Sequence, residues 1–215
     1  MAASSGTAIH NTVEDLCNLD ISDRDEGEMG WLHSTAREAL ERNWKAERQE
    51  FLGTQRHPRW KSEMFSKAHD GLIGALGFLF EKAGLSKREL SEVSIQSWRQ
   101  VQDIVLETEA TLESDCGRMM GRLDLLLLDP SSSEGEVGWI VADLKTGRPP
   151  RSGLDEKVRR QLLFYRDLAK QRSPEQNSIT AEGWYSSNEK IYVAHGPSIL
   201  EEAIDAWGSM KVTEE

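Results

Sequence analysis

The stretch GRLDLLLLD (Gly121–Asp129), followed after a turn-rich segment by GWIVADLK (Gly138–Lys145), decides how this chain folds. Two apolar runs of strand length flank a segment of Asp, Pro, Ser, Glu and Gly, which reads as a turn between antiparallel strands over about Met119–Leu128 and Val137–Lys145. If the connection is symmetric, positions whose numbers sum to 267 face one another, and Asp124 and Asp143 meet that condition. Directly opposed residues share a face and lie roughly 4.5–5.5 Å apart. Lys145, two residues beyond Asp143, projects from the same side. The runs Leu125–Leu128 and Ile140–Ala142 mark both strands as largely buried, and a buried charge must be paired or must coordinate a metal. Two carboxylates this close repel unless a cation sits between them. Asp and Lys are also depleted in strands. A plain ion pair at a strand end explains either motif alone; the two motifs together point to a divalent metal.

Working outward, the N-terminal half is helical in pattern. A short helix is predicted over about Thr7–Leu19, then an acidic loop over Asp20–Glu28. Leu32, Ala36, Leu40 and Trp44 make an amphipathic helix from Gly30 to about Leu52. After a break at Pro58, a longer helix runs from about Ser62 to Ala83 and stops at Gly84. Alternation over Val101–Leu112 predicts a strand ahead of the hairpin. Beyond it, Leu154, Val158, Leu162, Tyr165 and Leu168 form a helical stripe. Two last strands, Ile179–Tyr185 and Glu189–Ala194, and a short helix to about Met210 complete the chain. Helices, a strand meander, a helix and two more strands give an α/β sandwich around a central mixed sheet.

Composition sets the boundaries. The 215 residues suit one sizeable domain. No apolar run approaches the roughly 20 residues of a membrane span, and the N-terminus lacks the pattern of a signal peptide, so a cytoplasmic address without membrane contact is expected. Cys17 and Cys116 are too few for a disulfide framework or a four-cysteine metal or iron–sulfur site. A net charge of −11 argues against nonspecific coating of nucleic acid. The segment Lys145–Arg172 nevertheless carries +6, against −17 for the remainder, so one basic stretch is available to a polyanion. The scattered tryptophans are better explained by core packing than by base stacking.

Four motifs now stand in order: Gly6-x-x-x-His10, Gly121-x-x-Asp124, Asp143-x-Lys145 and Gln161-x-x-x-Tyr165. Together they resemble the successive motifs of RecB-like and Cas4-like members of the PD-(D/E)XK nuclease superfamily, in the branch without the iron–sulfur cluster. The resemblance implies a restriction-endonuclease-like core: a single nuclease domain over 1–215, with 20–100 a largely helical insertion and 101–195 the catalytic sheet and Q-x-x-x-Y helix. It implies that Asp124 and Asp143 ligate Mg²⁺ or Mn²⁺ with His10 and the Leu144 carbonyl, and that Lys145 positions or activates the attacking water. Gln161 and Tyr165 would contact DNA or support the site, and Arg148, Arg151, Arg159 and Arg160 would clamp phosphates. Glu14 follows His10 by one helical turn. Glu107 and Glu109 lie on the strand before Asp124, where the family often carries an acidic residue. Glu109 is the choice taken forward, although a solvated strand face accounts for both equally well.

The function so implied is metal-dependent hydrolysis of DNA phosphodiesters, exonuclease-like, on single strands or DNA ends, in recombination, repair or defence. No phosphate-binding loop of a helicase is present, so coupling to a motor would need a helicase or other protein partner. The rival is a catalytically silent nucleic-acid-binding or assembly module on a nuclease fold. Against it, Asp124, Asp143 and Lys145 are all intact.

Overall fold

The computed structural model describes residues 2–54, 60–86, 89–131, 137–151 and 153–211; the expected break at Pro58 and most of the expected turn after Asp129 lie outside them. The elements are α1 (Ala2–Cys17), α2 (Trp31–Gly53), α3 (Met64–Lys82), a 3₁₀ turn (Leu90–Glu92), α4 (Ile95–Ile104), β1 (Val105–Glu113), β2 (Met120–Asp129), β3 (Gly138–Lys145), α5 (Glu156–Arg172), β4 (Ile179–Tyr185), β5 (Lys190–Val193) and α6 (Leu200–Lys211). No helix among the described residues is long and apolar enough to cross a membrane.

The five strands form one sheet in the order β1-β2-β3-β4-β5. Strands β2 and β3 pair antiparallel from Leu125↔Ala142 to Asp129↔Gly138, the register the sequence predicts. Between β3 and β4 the chain crosses over through α5. Trp139 N–H donates to the Ser178 carbonyl at 2.8 Å and Ser186 N–H to the Lys145 carbonyl at 3.2 Å, so these two strands run in the same direction. The sheet is therefore mixed. Its central strand is covered on both faces, with Ile140 to Leu144 all buried, as expected of a strand taking part in a βαβ unit.

One sequence expectation is overturned. Residues 101–104 belong to helix α4, not to the strand that follows. Ser94 caps α4, its hydroxyl accepting from Ser97 N–H at 3.2 Å. Ile95, Trp98, Val101 and Ile104, three apart, are its buried stripe. Reading forward from Val101 sees only the end of that stripe, which mimics alternation. Helix α1 also starts earlier than expected, at Ala2, which places the whole G-x-x-x-H motif inside a helix.

The chain divides into two compact units, one holding Met1–Val105, Leu144–Pro149 and Trp184–Lys190, the other Leu106–Asp143, Pro150–Gly183 and Ile191–Glu215. In the first, α1 packs against α2 and α3. Asn43 of α2 donates to Thr12 Oγ1 and Asp15 Oδ2 of α1 at 3.1 and 2.9 Å, and the Trp98 indole donates to the Leu16 carbonyl. Two glycines of α3 permit close approach: a Cβ at Gly74 would fall 2.3 Å from the Ser186 carbonyl oxygen, and one at Gly71 would fall 2.9 Å from Ile9 Cδ1. In the second unit, α5 lies on the sheet through Leu162, Leu163, Tyr165 and Leu168. Asp155 caps it by accepting from Lys157 N–H at 2.9 Å, and Lys170 and Arg172 sit in its last turn, where the helix dipole favours cations.

Candidate metal and nucleic-acid site

The ladder between β2 and β3 ends at Leu125↔Ala142, so Asp124 and Asp143 are the first residues past it, in the opposition that the register dictates. Asp143 is 5% exposed. Burying a carboxylate is costly unless it is hydrogen-bonded, and Gln161 of α5 extends its Nε2 to 3.5 Å from Asp143 Oδ1. The same amide donates to the Tyr165 hydroxyl at 2.9 Å, the i, i+4 pairing expected of one helix face. Tyr165 is buried, and its ring lies against Gly121, where a Cβ would come within 2.7 Å of ring carbon Cε1. Gly121-x-x-Asp124 and Gln161-x-x-x-Tyr165 are thus coupled physically: only glycine lets the tyrosine ring settle, and the settled ring presents the glutamine that reaches Asp143. Of the two roles expected for Gln161 and Tyr165, DNA contact or support of the site, these bonds are the contacts that a supporting role would use.

Strand β1 carries Glu109, the acidic residue taken forward from the sequence, and Glu107. The hairpin between β1 and β2 closes with Ser114 N–H donating to the Met119 carbonyl at 2.8 Å, and counting back from it sets Glu109 opposite Asp124. From Ala110 to Glu113, burial alternates strictly, whereas Glu107, Thr108 and Glu109 are all half-buried. Glu109 has φ +49°, in the left-handed region. A non-glycine residue pays about 1–3 kcal/mol there, and the break in alternation has the character of a β-bulge, which re-aims a side chain. The Glu109 and Asp124 carboxylates lie within 4.8 Å of each other. Arg122 Nε contacts Glu109 Oε2 at 2.7 Å through a side chain that is 66% exposed. Among the described residues, no Asp143 carboxylate oxygen joins Glu109 and Asp124 within that 4.8 Å limit. Glu107 is engaged elsewhere: Arg172 of α5 donates to both its oxygens, one at 2.9 Å, and that guanidinium holds its carboxyl below the usual range.

In the other unit, His10 and Glu14 occupy successive turns of α1 and are partly exposed. Gly6 lies one turn before His10, so the two share a face. A Cβ at Gly6 would sit 2.7 Å from Thr146 Oγ1, so this face of α1 meets the residue that follows Lys145. That contact is the structural reason for the glycine of G-x-x-x-H. Lys145 is half-buried at the end of β3, and Leu144 is buried with its backbone in the strand.

The arginines differ among themselves. Arg148 and Arg151 are exposed. Arg159 is bound to both carboxylate oxygens of Glu156 and to the His195 carbonyl, so it fastens α5 to the segment before α6. Arg160 is half-exposed, with Glu202 at 3.9 Å. A further carboxylate, Glu182 of β4, is 4% exposed and was not singled out from the sequence. The bonds joining β3 and β4 set it beside Ala142, on the face opposite Asp143.

A five-stranded mixed sheet with helices packed on it, an acidic pair past a strand ladder and a lysine two residues on define a restriction-endonuclease-like nuclease fold. The profile of the PD-(D/E)XK nuclease superfamily matches residues 1–209, and the chain belongs to that superfamily. No curated protein matches it significantly. Membership makes a nucleic acid its class of substrate and a divalent metal ion its class of cofactor. The donor set fits: the carboxylate oxygens of Glu109 and Asp124 are hard ligands suited to Mg²⁺, Mn²⁺ or Ca²⁺ rather than to soft metals.

Proposed function

We propose that this protein is a Mg²⁺- or Mn²⁺-dependent deoxyribonuclease of the cluster-free RecB-like branch, acting exonuclease-like on single strands or DNA ends. The observation that carries the reading is the approach of the Glu109 and Asp124 carboxylates to within 4.8 Å of each other, because two carboxylates so placed suit a divalent cation. The ion would be held by Glu109, Asp124 and Asp143, with His10 and the Leu144 carbonyl as the remaining protein ligands. When bound, such an ion makes a water nucleophilic and stabilises the leaving oxygen.

The chain's own residues do the rest. Lys145 places its ammonium beside the phosphate, where it offsets developing negative charge and orients the water. Gln161, anchored through Tyr165, keeps Asp143 in one rotamer. Arg148 and Arg151 are exposed and supply the phosphate contacts that position a strand. An imidazole among oxygen ligands tilts metal preference toward Mn²⁺. A helicase or other partner would supply affinity that a chain of net charge −11 lacks.

The test is cleavage of end-labelled linear single- and double-stranded DNA with Mn²⁺, Mg²⁺ or EDTA. Metal-dependent release of mononucleotides or short products from ends, with closed circles spared, is the expected result. Equal attack on circular and linear DNA would overturn the exonuclease reading, and no cleavage of any form would favour the silent binding module.

A further inference from the structure

A second feature lies wholly within the first unit, in the loop that continues from Lys145. A cavity of about 390 Å³ is lined by Ser5 and Ile9 of α1, Met64, Lys67 and Gly71 of α3, Thr146 and Gly147 after β3, and Ser186 and Ser187 after β4, with Asp70 and Glu189 completing it. That volume is toward the small end of ligand pockets, which span roughly 300–1,000 Å³. Its position is set by chain continuity: Thr146 is bonded to Lys145, and consecutive Cα atoms are about 3.8 Å apart. Thr146 lines the cavity and directly follows Lys145, so the sugar and base next to a phosphate held at Lys145 are within reach of this opening.

The lining decides what class of group fits. Ile9, Met64 and the bare Cα of Gly71 form an apolar wall, while Ser5, Thr146, Ser186 and Ser187 bring hydroxyls. Ser186 is 3% exposed, and its Oγ has no hydrogen-bond partner among the described residues. Native proteins rarely leave a buried hydroxyl unsatisfied. The Ser187 hydroxyl donates to the Gly147 carbonyl at 3.1 Å, tying the two loops that frame the opening. Two exposed carboxylates, Asp70 and Glu189, stand beside one exposed ammonium, Lys67. That balance disfavours a phosphate inside the cavity. It accepts from the amino groups of a base and the hydroxyl of a sugar instead.

We infer that this cavity is a nucleoside subsite, which takes the base and sugar next to the phosphate held at Lys145. The inference rests on the nuclease reading and names the part of the substrate that the site would grip. An unpaired or frayed nucleotide can enter such a cavity, whereas a stacked, paired one must first leave its helix, at a cost of a few kcal/mol. The subsite thereby gives single-stranded ends their advantage.

The test separates the subsite from the chemistry by working in EDTA, where no cleavage occurs. Thymidine and deoxyadenosine are titrated against the full chain by NMR, with inorganic phosphate as the control. Saturable shifts of the Gly147, Ser187 and Asp70 amides with nucleoside, and none with phosphate, are expected. Ser187→Trp, a substitution at an exposed position, should abolish those shifts by filling the opening. Ser186→Ala should weaken binding several-fold while leaving Tm unchanged or higher, since it removes an unsatisfied buried hydroxyl. Shifts with phosphate alone, no shifts at these amides, or shifts that survive Ser187→Trp would each overturn the subsite. A parallel assay with Mn²⁺, wild type beside Asp143→Ala, judges the nuclease reading independently: cleavage without nucleoside binding sinks the subsite only, and binding without cleavage sinks the nuclease.

Discussion

Replacing Gly121 with alanine should disturb the acidic site through the ring of Tyr165. The added methyl would lie 2.7 and 2.8 Å from Tyr165 Cε1 and Cδ1, and 3.1 Å from Leu168 Cδ1, where ordinary contact begins at 3.4 Å. The ring must retreat by roughly 0.7 Å in a close-packed interior, and overpacking of this kind costs about 1–3 kcal/mol. The ring carries the hydroxyl that accepts from Gln161 at 2.9 Å, and Gln161 is already at 3.5 Å from Asp143. A shift of that size breaks the weaker contact. Urea unfolding of Gly121→Ala should show stability lowered by about 2 kcal/mol, and DNA cleavage should fall with it at temperatures where the variant is still folded. In a Tyr165→Leu background the same substitution should cost less, with a coupling above about 1 kcal/mol, as expected for residues in direct contact. Equal penalties in both backgrounds, or none in either, would refute the ring-on-glycine argument.

Other consequences follow from the same geometry. Glu109→Gly should hold or raise Tm, because glycine accepts φ +49° without strain, while cleavage falls; a collapse in Tm would contradict the bulge. Asp167 is 7% exposed and accepts from Ile199 N–H and Leu200 N–H at 2.7 and 3.2 Å and from the Ser198 hydroxyl, so Asp167→Ala should destabilise the protein by about 3 kcal/mol and loosen α6, read by urea unfolding and by amide exchange at Leu200. Burial, then the Glu14 charge, pushes the Cys17 thiol from 9.0 up to about 12. The folded state therefore holds that proton more tightly than the unfolded state. This contribution is complete below pH 9 and is lost as pH climbs toward about 12, so Tm should fall more steeply above pH 9 in wild type than in Cys17→Ala. At pH 8 a thiol reagent should modify Cys116 alone until denaturant exposes Cys17.

The hairpin was legible because its two apolar runs and turn leave one symmetric register, and period-two alternation then carries Asp124 opposite Asp143. The choice between Glu107 and Glu109 was not. Both have the same parity on β1, and what distinguishes them, the left-handed backbone at Glu109 and the pairing of Glu107 with Arg172, is invisible to periodicity. Strand β1 was also begun four residues early, because Val101 and Ile104 close a helical stripe that opens at Ile95. The glycines of two motifs could be seen in the sequence but not explained there. Their reasons, Tyr165 at Gly121 and Thr146 at Gly6, are contacts between segments far apart in the chain.

The most direct test of the central claim pairs Mn²⁺ binding by calorimetry with DNA cleavage, for wild type, Asp124→Asn and Lys145→Ala. Asp124→Asn should lose both the bound Mn²⁺ and cleavage, and Lys145→Ala should keep the metal and lose cleavage. Undiminished Mn²⁺ binding by Asp124→Asn, or undiminished cleavage by Lys145→Ala, would contradict the account.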